Sequence, residues 1–557
     1  MPRLRPDIAS RRAILAGLAG SALASAIPAR LLAQSGAAGN GPFRHGVASG
    51  DPDETSVVLW TRLTVEADSE VEWELSRSPD FLPVVQSGKA MAEAERDHTV
   101  KVLAQGLEPG GTWFYRFRSH GVTSPVGRTR TLPRGLLDRL GIALASCSNY
   151  AFGHFNAYDA IARDPGVDYV LHTGDYIYEY GAEGWGADIA RKLGRVHQPA
   201  NEIVSLSDYR RRHAQYKTDP GAQAMHAAHP LLACWDDHES ANNPWTGGAQ
   251  NHQPETEGDW GARRAASIRA YFEWMPVREP EAGRSRAQFW RGYRFGSLAT
   301  LHTLETRHTG RARQIDYADW ADRLKTRADA DRLLREELGA PGRAMLSPEL
   351  EEDLSRALTR SVREGQPWRL IGNPMPIART PVPDLVALGV LPAAPTSDAA
   401  KELVWKGKWN LPFYPDTWDG YPWARERLYD LSRKAGAGDL VFLTGDSHSF
   451  WANRLADAQG RPAGIEIGTA GITSPGDFDG SGFDPETSRR LDKAFTDHCP
   501  EVLWTDNRHQ GYVRIELTRS AGAAVFVAVD TVASLEYRTR VLRRDAFRRR
   551  HGSVDFA

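Results

Sequence analysis

Cysteine is scarce in this chain of 557 residues, which contains Cys147, Cys234 and Cys499 and no other. Proteins that depend on a disulfide framework carry many more cysteines, so three allow one bridge at most. Cys234 lies inside an apolar segment and is predicted to be buried and free. Cysteine chemistry in this chain is therefore expected to be local, not structural.

An excess of charge of one sign is also lacking. Sixty-nine basic residues nearly balance 71 acidic ones, which leaves a formal net charge of -2. This balance excludes the strongly basic surface expected of a protein with nucleic acid as an obligate partner. The length and the hydrophobic content of 41% suffice for a large buried core and predict two domains.

Hydrophobic runs long enough to span a membrane are lacking too, since the apolar stretch at residues 13–28 is short and rich in alanine. Arg11 and Arg12 precede this stretch, and small residues up to Ala33 offer a cleavage site. The pattern predicts a twin-arginine signal peptide over residues 1–38. We therefore expect the twin-arginine export machinery as a partner, a periplasmic or secreted location, and no transmembrane span in the mature chain. A short anchoring helix is the alternative.

Several short apolar segments are typical of buried parallel strands. They cover residues 140–146, 167–171, 230–235, 368–372 and 440–444. The side chains that follow them at once include the possible metal ligands Cys147, Asp175, Tyr178, Asp236, Asp237, His238, Asn373, Asp446 and His448. Ligands collect at the carboxyl ends of the strands in open α/β sheets, so these residues are expected to meet at one edge.

The mixture of side chains indicates which metals such a site would bind. A single Gly-Asp after a strand is usually a turn, but several converging loops favour a metal site. Thiolate, phenolate and imidazole suit a transition ion, whereas carboxylates and amide oxygens suit a hard cation. Two cations that share a bridging carboxylate can activate water and hold the oxygens of a phosphate group. Hydrolysis of small phosphoester substrates is therefore the leading hypothesis.

Seven motifs together carry a resemblance to a known family. They lie at residues 43–52, 57–62, 145–147, 174–180, 235–239, 418–421 and 444–449. In this order, across residues 43–530, they resemble the PhoD-type alkaline phosphatases. The resemblance implies hydrolysis of phosphomonoesters and phosphodiesters at alkaline pH with ferric iron (Fe3+) and calcium (Ca2+). It also implies an α/β fold, with a metallophosphoesterase-type β-sandwich core flanked by helices in residues 137–557. A small all-β immunoglobulin-like or fibronectin-like domain would precede it at residues 39–133.

The resemblance also implies roles for individual residues. Asp175 would be the carboxylate that bridges the two cations, and His238 would support the leaving-group oxygen or the charge of the transition state. The other ligands implied are Cys147, Tyr178 and His448 for iron, and Asp237 and Asp446 for calcium. The residue chemistry agrees, because a phenolate such as that of Tyr178 stabilises Fe(III).

Simpler roles stay open for several of these residues. Cys147 would also fit as a small buried apolar residue and Tyr178 as a packed aromatic one. Asp236 is expected to orient its neighbours. Asparagines at 242, 243 and 373 would serve equally well in turns. The role of Glu305, which stands where these phosphatases usually have aspartate, is open.

The motifs also depart from the wider metallophosphoesterase pattern. Cys147 replaces an Asp-x-His motif, while Asp237 and Asp446 stand where that pattern has asparagine and histidine. The site loses imidazole and gains carboxylate, which favours a hard second cation over zinc or manganese.

The predicted mechanism is direct attack of a metal-bound hydroxide on phosphorus, without a covalent enzyme intermediate. One alternative is a phospholipase D-like phosphodiesterase that uses the same site. Another is a cell-envelope binding protein that has lost its chemistry.

Three further segments carry expectations. The insertion at residues 181–206, which contains Trp185, is expected to build a pocket wall with His197 at the surface. The charge-rich segment 317–365 is expected to be helical. The arginine-rich tail around residues 543–550 is expected to be a solvated helix end, with a lid over the site as the alternative.

Overall fold

The computed structural model describes residues 41–550 and 552–557. The predicted signal peptide at residues 1–38 lies outside the described residues. Each helix within the described ranges is too short or too polar to cross a bilayer.

The strands account for most of the regular structure. Those before residue 133 are β1 (Val47–Gly50), β2 (Val57–Arg62), β3 (Ser69–Ser76), β4 (Val84–Ala92), β5 (Thr99–Ala104), β6 (Thr112–Ser119), β7 (Val122–Thr123) and β8 (Gly127–Arg130). Those that follow are β9 (Arg139–Ala145), β10 (Tyr169–His172), β11 (Leu231–Ala233), β12 (Pro244–Trp245), β13 (Gly248–Ala249), β14 (Gly292–Phe295), β15 (Ala299–Thr303), β16 (Trp368–Asn373), β17 (Leu440–Thr444), β18 (Phe450–Ala456), β19 (Pro462–Gly468), β20 (Val502–Asp506), β21 (Gly511–Thr518), β22 (Gly522–Val529), β23 (Thr539–Arg550) and β24 (Ser553–Phe556).

Helices connect the later strands. They are α1 (Asn156–Arg163), α2 (Ala187–Leu193), α3 (Leu206–Tyr216), α4 (Pro220–Ala228), α5 (Pro254–Glu257), α6 (Trp260–Trp274), α7 (Arg327–Arg332), α8 (Pro348–Arg363), α9 (Asp398–Trp409), α10 (Pro422–Lys434), α11 (Asp477–Gly480) and α12 (Pro485–His498). Shorter 3-10 segments cover Ala94–Arg96, Tyr150–Phe152, Tyr317–Trp320 and Trp418–Gly420, and a π-helical segment covers Leu333–Leu338. The expected helical character of residues 317–365 is confirmed, with Ser347 capping α8 by accepting a hydrogen bond from the amide of Leu350.

Two large sheets form the centre of the molecule. The first contains ten strands in the order β24-β23-β22-β21-β9-β10-β11-β1-β2-β5, and the second contains seven in the order β14-β15-β16-β17-β19-β18-β20. Strands β9, β10 and β11 are parallel neighbours in the first sheet. Strands β15, β16, β17 and β19 are parallel in the second. The carboxyl ends that were expected to carry ligands therefore belong to both sheets.

Alternation along the strands explains why the two sheets pack together. In β9, Leu140, Ile142 and Leu144 point into an apolar layer that also contains residues of the second sheet, such as Leu370 and Val441. The intervening Ala143 and Ala145 belong instead to the core beneath α1, α4 and α6. The second sheet is covered on its other side by α8 and α10. The result is an α/β sandwich core flanked by helices, which confirms the predicted architecture at this level.

The strands predicted before residue 133 are present, but they do not all form one separate sheet. Strands β3, β4, β6, β7 and β8 make a five-stranded sheet. Strands β1, β2 and β5 instead extend the ten-stranded sheet, because β1 pairs in parallel with β11 at Gly50 and Leu231. Part of the N-terminal region therefore lies beside the strand that leads into the candidate site.

The predicted helix end in the arginine-rich tail is wrong, and so is the alternative of a lid. Residues Thr539–Arg550 form strand β23, which pairs with β22 on one side and β24 on the other. Phe547 and Phe556 anchor this hairpin in the core between the two sheets. Phe547 is the one buried residue of β23 and its arginines are exposed or half-buried, so pairing with β22 and β24 makes this segment a strand.

The three cysteines are buried and free, which confirms the prediction for Cys234. His197 was expected at the surface, but it is 1% exposed. Its Nδ1 lies 3.0 Å from the carbonyl oxygen of Tyr180, and its Nε2 lies 3.2 Å from the hydroxyl of Tyr216. His197 therefore connects the start of the insertion at residues 181–206 to α3.

Lys217 is buried without a carboxylate partner among the described residues. Its ammonium lies between Trp60 and Tyr176, and its Nζ is 3.1 Å from His226 Nε2. Burial lowers the pKa of Lys217 from its ordinary 10.5 to about 7. Between these two values the unfolded chain binds the additional proton, so stability must rise as the pH increases.

Replacing Lys217 by methionine is expected to remove this rise of the free energy of unfolding with pH. Each pH unit between 7 and 10.5 adds about 1.4 kcal/mol to the stability of the native lysine form relative to the methionine variant. Urea unfolding at several pH values measures the difference. Lys493→Met, at a side chain that is 75% exposed, is the control and should leave the pH profile unchanged. Parallel profiles for Lys217→Met and native protein would contradict the prediction.

Candidate metal centre

Four loops meet at the edge where the two sheets face each other. Cys147 follows β9, Asp175 follows β10, and Asp237 follows β11, so each of three neighbouring strands is followed by one candidate ligand. The second sheet contributes Asp446 and His448, directly after β17. The structure thus brings together residues that are up to 301 positions apart because parallel strands of both sheets end there.

The backbone at these positions is unusual for residues with side chains. Cys147, Asp175, Asp446 and His448 have φ angles of 61°, 56°, 64° and 52°. Such left-handed conformations cost about 1 kcal/mol or more for each residue other than glycine, and they concentrate at functional sites. The sharp turns they produce point the side chains inward.

Two glycines permit the loops to approach one another. A Cβ atom on Gly174, whose φ is +100°, would lie 2.4 Å from the backbone nitrogen of Asp236. A Cβ atom on Gly445 would lie 2.2 Å from Ser146 Oγ. Both glycines of the Gly-Asp pairs are therefore required by packing between loops.

One half of the site combines sulfur, phenol and imidazole with a carboxylate. Asp175 Oδ2 lies 3.4 Å from Cys147 Sγ and 3.3 Å from the hydroxyl of Tyr178. That hydroxyl lies 3.2 Å from His448 Nε2. Since His448 Nδ1 is 3.1 Å from the carbonyl oxygen of Pro475, Nδ1 donates there and Nε2 faces the site with a free lone pair.

Without a bound cation, the Cys147 thiol and the Tyr178 phenol stay protonated and the His448 imidazole stays neutral. Burial, together with Asp175, raises the pKa of the Cys147 thiol and of the Tyr178 phenol well above their ordinary values. Burial also lowers the pKa of His448 to about 3, so its imidazole is neutral. A strong Lewis acid would remove the protons from the thiol and the phenol.

The other half of the site is made of carboxylates. Asp175, Asp236, Asp237 and Asp446 each offer an oxygen within 4.8 Å of the others. Asp175 also belongs to the group with Cys147 and His448, and to a third group with Asp237 and His238. One carboxylate therefore stands between two sets of ligands, as a bridging residue must.

Unsatisfied oxygens show that these residues fit cations. Asp175 Oδ1, Asp236 Oδ2 and Asp237 Oδ1 are buried and have no hydrogen-bond partner among the described residues. Such orphaned oxygens are costly in a folded protein unless an ion or ordered water satisfies them. Several carboxylates without donors are what a hard cation requires.

Arg307 lies at the centre of the carboxylates, and sequence reasoning missed it. The guanidinium is fully buried, with Nε 2.5 Å from Asp236 Oδ1 and Nη2 3.3 Å from Asp446 Oδ1. Nη2 is also 3.7 Å from Asp237 Oδ1. Asp236 thus binds Arg307 as well as facing the site, in keeping with the orienting role expected of it. The sequence predicted several buried carboxylates at one site, and such a group needs a buried basic side chain nearby, which could have indicated Arg307.

Two neighbouring residues expected to be candidates serve the framework instead. Glu305 accepts hydrogen bonds from the amides of Arg307 and His308 at 2.8 and 2.7 Å and from Trp235 Nε1 at 3.2 Å. Asn373 Oδ1 accepts a hydrogen bond from Trp418 Nε1 at 3.1 Å, so this amide oxygen is already used. These contacts hold the strand-end loops in place.

The two asparagines after the His238 loop bind through different groups. Asn242 donates its backbone N–H to Glu179 Oε1 at 2.8 Å, and its side chain bonds to Gln250. Asn243 donates its backbone N–H to Asp237 Oδ2 at 2.9 Å, and its Oδ1 is 3.4 Å from an Arg307 nitrogen. Asn243 thereby positions Asp237.

His238 lies against both the phenol and the bridging carboxylate. Its ring stacks on Tyr178 with 4.2 Å between centroids, and its Nδ1 is 2.6 Å from Glu179 Oε2. Burial opposes protonation, but Asp237 and Glu179 outweigh it and raise the pKa of His238 well above its ordinary value. A charged imidazole whose Nδ1 is occupied presents Nε2–H as its remaining donor.

The fold and the site together are those expected of a metal-dependent hydrolase, in which two sheets of an α/β sandwich bring candidate metal-binding residues together at their strand ends. A family model described as PhoD-like phosphatase matches residues 142–526, and one for the N-terminal domain of that family matches residues 29–133. The chain belongs to the PhoD-like phosphatase family and is a phosphoric ester hydrolase.

Two individual proteins are similar over most of the chain. Alkaline phosphatase D of Bacillus subtilis (strain 168) is 33% identical over 504 residues, which cover 86% of this chain and 76% of that protein. A solved structure of PhoD is 29% identical, with a TM-score of 0.74, and covers 93% of this chain and 92% of that one. The predicted resemblance and the predicted phosphoester hydrolysis are thereby confirmed.

Proposed function

We propose that this protein is an exported alkaline phosphatase that hydrolyses both phosphomonoesters and phosphodiesters, with ferric iron in one subsite and calcium in the other. The observation that carries the proposal is the shared position of Asp175 between a thiol-phenol-imidazole set and an all-carboxylate set. A mixed-metal pair is the occupant that suits two such different sets.

The proposed metal ligands are the same six residues that the sequence predicted. Iron is assigned to Cys147, Tyr178 and His448, calcium is assigned to Asp237 and Asp446, and Asp175 bridges them. The bound cations would activate a water molecule as the nucleophile and neutralise charge on the phosphoryl oxygens. Asp236 joins the calcium subsite as a residue that holds Arg307 in place.

The protein's own groups orient the substrate and manage its protons. Because Glu179 occupies Nδ1, Nε2–H is the donor that His238 would offer to the leaving-group oxygen. Asn242 and Asn251 hold Glu179 through hydrogen bonds of 2.8 Å each to Oε1. Glu179 therefore acts as a positioning residue for His238.

The proposal is tested by metal analysis of the purified protein together with hydrolysis of p-nitrophenyl phosphate and its bis ester at alkaline pH. We expect bound iron, and hydrolysis of both esters that a calcium chelator abolishes and added calcium restores. Preference for the diester would favour the phospholipase D-like alternative. Metal without turnover of either ester would contradict the proposal, and absence of bound metal would favour a non-catalytic binding protein.

Replacing Tyr178 by phenylalanine tests the iron assignment. A phenolate bound to ferric iron gives a visible charge-transfer band, and the variant is expected to lose it. Ser474 also contacts the Tyr178 hydroxyl at 2.8 Å, so Ser474→Ala is the control that disturbs the hydroxyl but spares the phenol. A band that persists in Tyr178→Phe would show that the phenol is not an iron ligand.

Export through the twin-arginine pathway is supported by Arg11 and Arg12 ahead of the short apolar stretch. Replacing both arginines by lysine is expected to leave the protein in the cytoplasm, whereas the native chain reaches the periplasm or medium. Fractionation of cells that express each form measures the outcome. Equal export of both forms would contradict this assignment. The N-terminal residues 39–133 are proposed to include an immunoglobulin-like or fibronectin-like unit with a packing role.

A further inference from the structure

Two aromatic side chains stay partly exposed beside the buried metal ligands. Tyr180 and Trp185 are half-buried, whereas Tyr178 is completely buried. The Trp185 ring stacks on His448 at an interplanar angle of 16° with 5.5 Å between centroids. It also packs edge-on against Phe152 at 4.6 Å. An aromatic surface thus borders the opening of the site.

The backbone holds Trp185 in this position. Gly186 follows it with a φ of +90°, and a Cβ atom there would lie 2.8 Å from the ring of Phe152. Helix α2 then begins at Ala187. On the other side, the carbonyl of Tyr180 is anchored by His197 Nδ1 at 3.0 Å. The wall is therefore formed before a ligand arrives, which lowers the entropic cost of binding to it.

The position of the wall relative to His238 indicates what it would contact. Tyr180 lies 5.3 Å from His238, and Trp185 lies 5.9 Å from Tyr178 and 6.3 Å from Tyr180, all between ring centroids. His238 is the residue assigned to the leaving group. Tyr180 and Trp185 contact each other edge to face, so a leaving group held at His238 and larger than a few atoms would lie against their exposed faces.

We propose that Trp185, together with Tyr180, selects substrates whose leaving group is a planar aromatic ring. This inference rests on the proposed phosphoesterase function and deepens it by naming the substrate class. Ring stacking of this kind changes affinity by about tenfold, whereas an aliphatic alcohol gains little from it. Trp185 touches neither the reacting atoms nor the cations directly, so it determines specificity without being catalytic.

The test compares native protein, Trp185→Ala and Trp185→Phe. For each we would measure KM for phenyl phosphate and glycerol phosphate, inhibition by phenylphosphonate and methylphosphonate, and iron content. In Trp185→Ala, KM and the inhibition constant are expected to rise about tenfold for the phenyl compounds and less than about twofold for the aliphatic ones. Iron content should stay unchanged, and Trp185→Phe should retain most of the preference. Trp423→Ala, at a half-buried tryptophan on α10, is the control and should have no effect.

The outcomes separate the inference from the function on which it rests. Equal changes for phenyl and aliphatic compounds, or loss of iron, would overturn the inference and make Trp185 a structural cover of His448. Hydrolysis of no ester by the native protein would overturn the proposed function and the inference together. Normal hydrolysis with an unchanged phenyl preference in Trp185→Ala would overturn the inference alone.

Discussion

Asp175→Asn is expected to lose both cations and more than about a thousandfold in kcat/KM. Asparagine preserves the size of the side chain but removes the negative charge and one of the two anionic oxygens. Asp175 is 1% exposed, and its Oδ1 has no hydrogen-bond partner among the described residues. Among the described residues, Asp175 is the one that belongs to all three candidate ligand groups, so the neighbouring carboxylates are not placed to serve both subsites in its stead.

Metal content and kinetics measured on the same preparation check this expectation. Asp164→Asn is a suitable control, because this half-buried carboxylate binds Tyr512 and Arg514 at 2.7 and 2.6 Å and belongs to none of the candidate ligand groups. It should keep metal and activity. If Asp175→Asn retained both cations, the bridging role would be refuted, whereas loss of one cation alone would restrict Asp175 to that subsite.

Arg307→Met is expected to destabilise the protein without calcium by about 3–5 kcal/mol. The guanidinium is the positive partner of Asp236 and Asp446 inside the protein, with no exposure of its own side chain. Breaking a buried ion pair by removing one partner leaves an uncompensated charge, which is why the cost is large. Calcium at the carboxylates would supply the missing positive charge and recover part of the lost stability.

Urea unfolding in the presence of a chelator, and again with calcium, measures both effects. The matched control is Arg369→Met, because Arg369 is also buried, binds Asp439 with two 2.6 Å hydrogen bonds and lies at the amino-terminal ends of β16 and β17, opposite the strand ends that carry the candidate ligands. This control should lose stability that calcium does not restore. Equal restoration in both variants would show that calcium acts elsewhere, and an Arg307→Met protein of native stability would refute the electrostatic role.

These two predictions concern the two sources of positive charge that can stabilise the buried carboxylates, a basic side chain and bound cations. Four carboxylates within 4.8 Å of each other cannot all be charged in a buried site without positive charge nearby. Arg307 and the charged His238 supply part of this positive charge, and the proposed cations would supply the rest. The fixed charge makes the metal-free fold possible, while the unsatisfied oxygens keep affinity for the cations.

Local patterns in the sequence were enough to predict the strands and the ligands. Leu440–Thr444 is buried throughout because both of its faces are covered, and the residues after it turn into the candidate site. The same reasoning applied to Cys147, Asp175 and Asp237. In each case the candidate ligand lies two to four residues after the end of its strand, so that locating the strand also locates the candidate ligand.

The errors arose where a segment's partner lies far away in the chain. The arginine-rich tail was predicted to end a helix because its charges dominate its composition. Strand β22 supplies the hydrogen bonds that make it a strand. Likewise, no strand was predicted at residues 47–50, where β1 pairs with β11 of the catalytic sheet across more than 180 positions.

The sequence by itself determined the family, the parallel strands and six of the candidate metal ligands, because each depends on residues that are adjacent or nearly adjacent. Tertiary structure alone decided the contacts of Arg307, which reaches Asp236 across 71 positions and Asp446 across 139. It also decided the placement of Trp185 over His448. Such contacts depend on how the two sheets stack, and the order of residue types along the chain does not show which distant residues the stacking brings together.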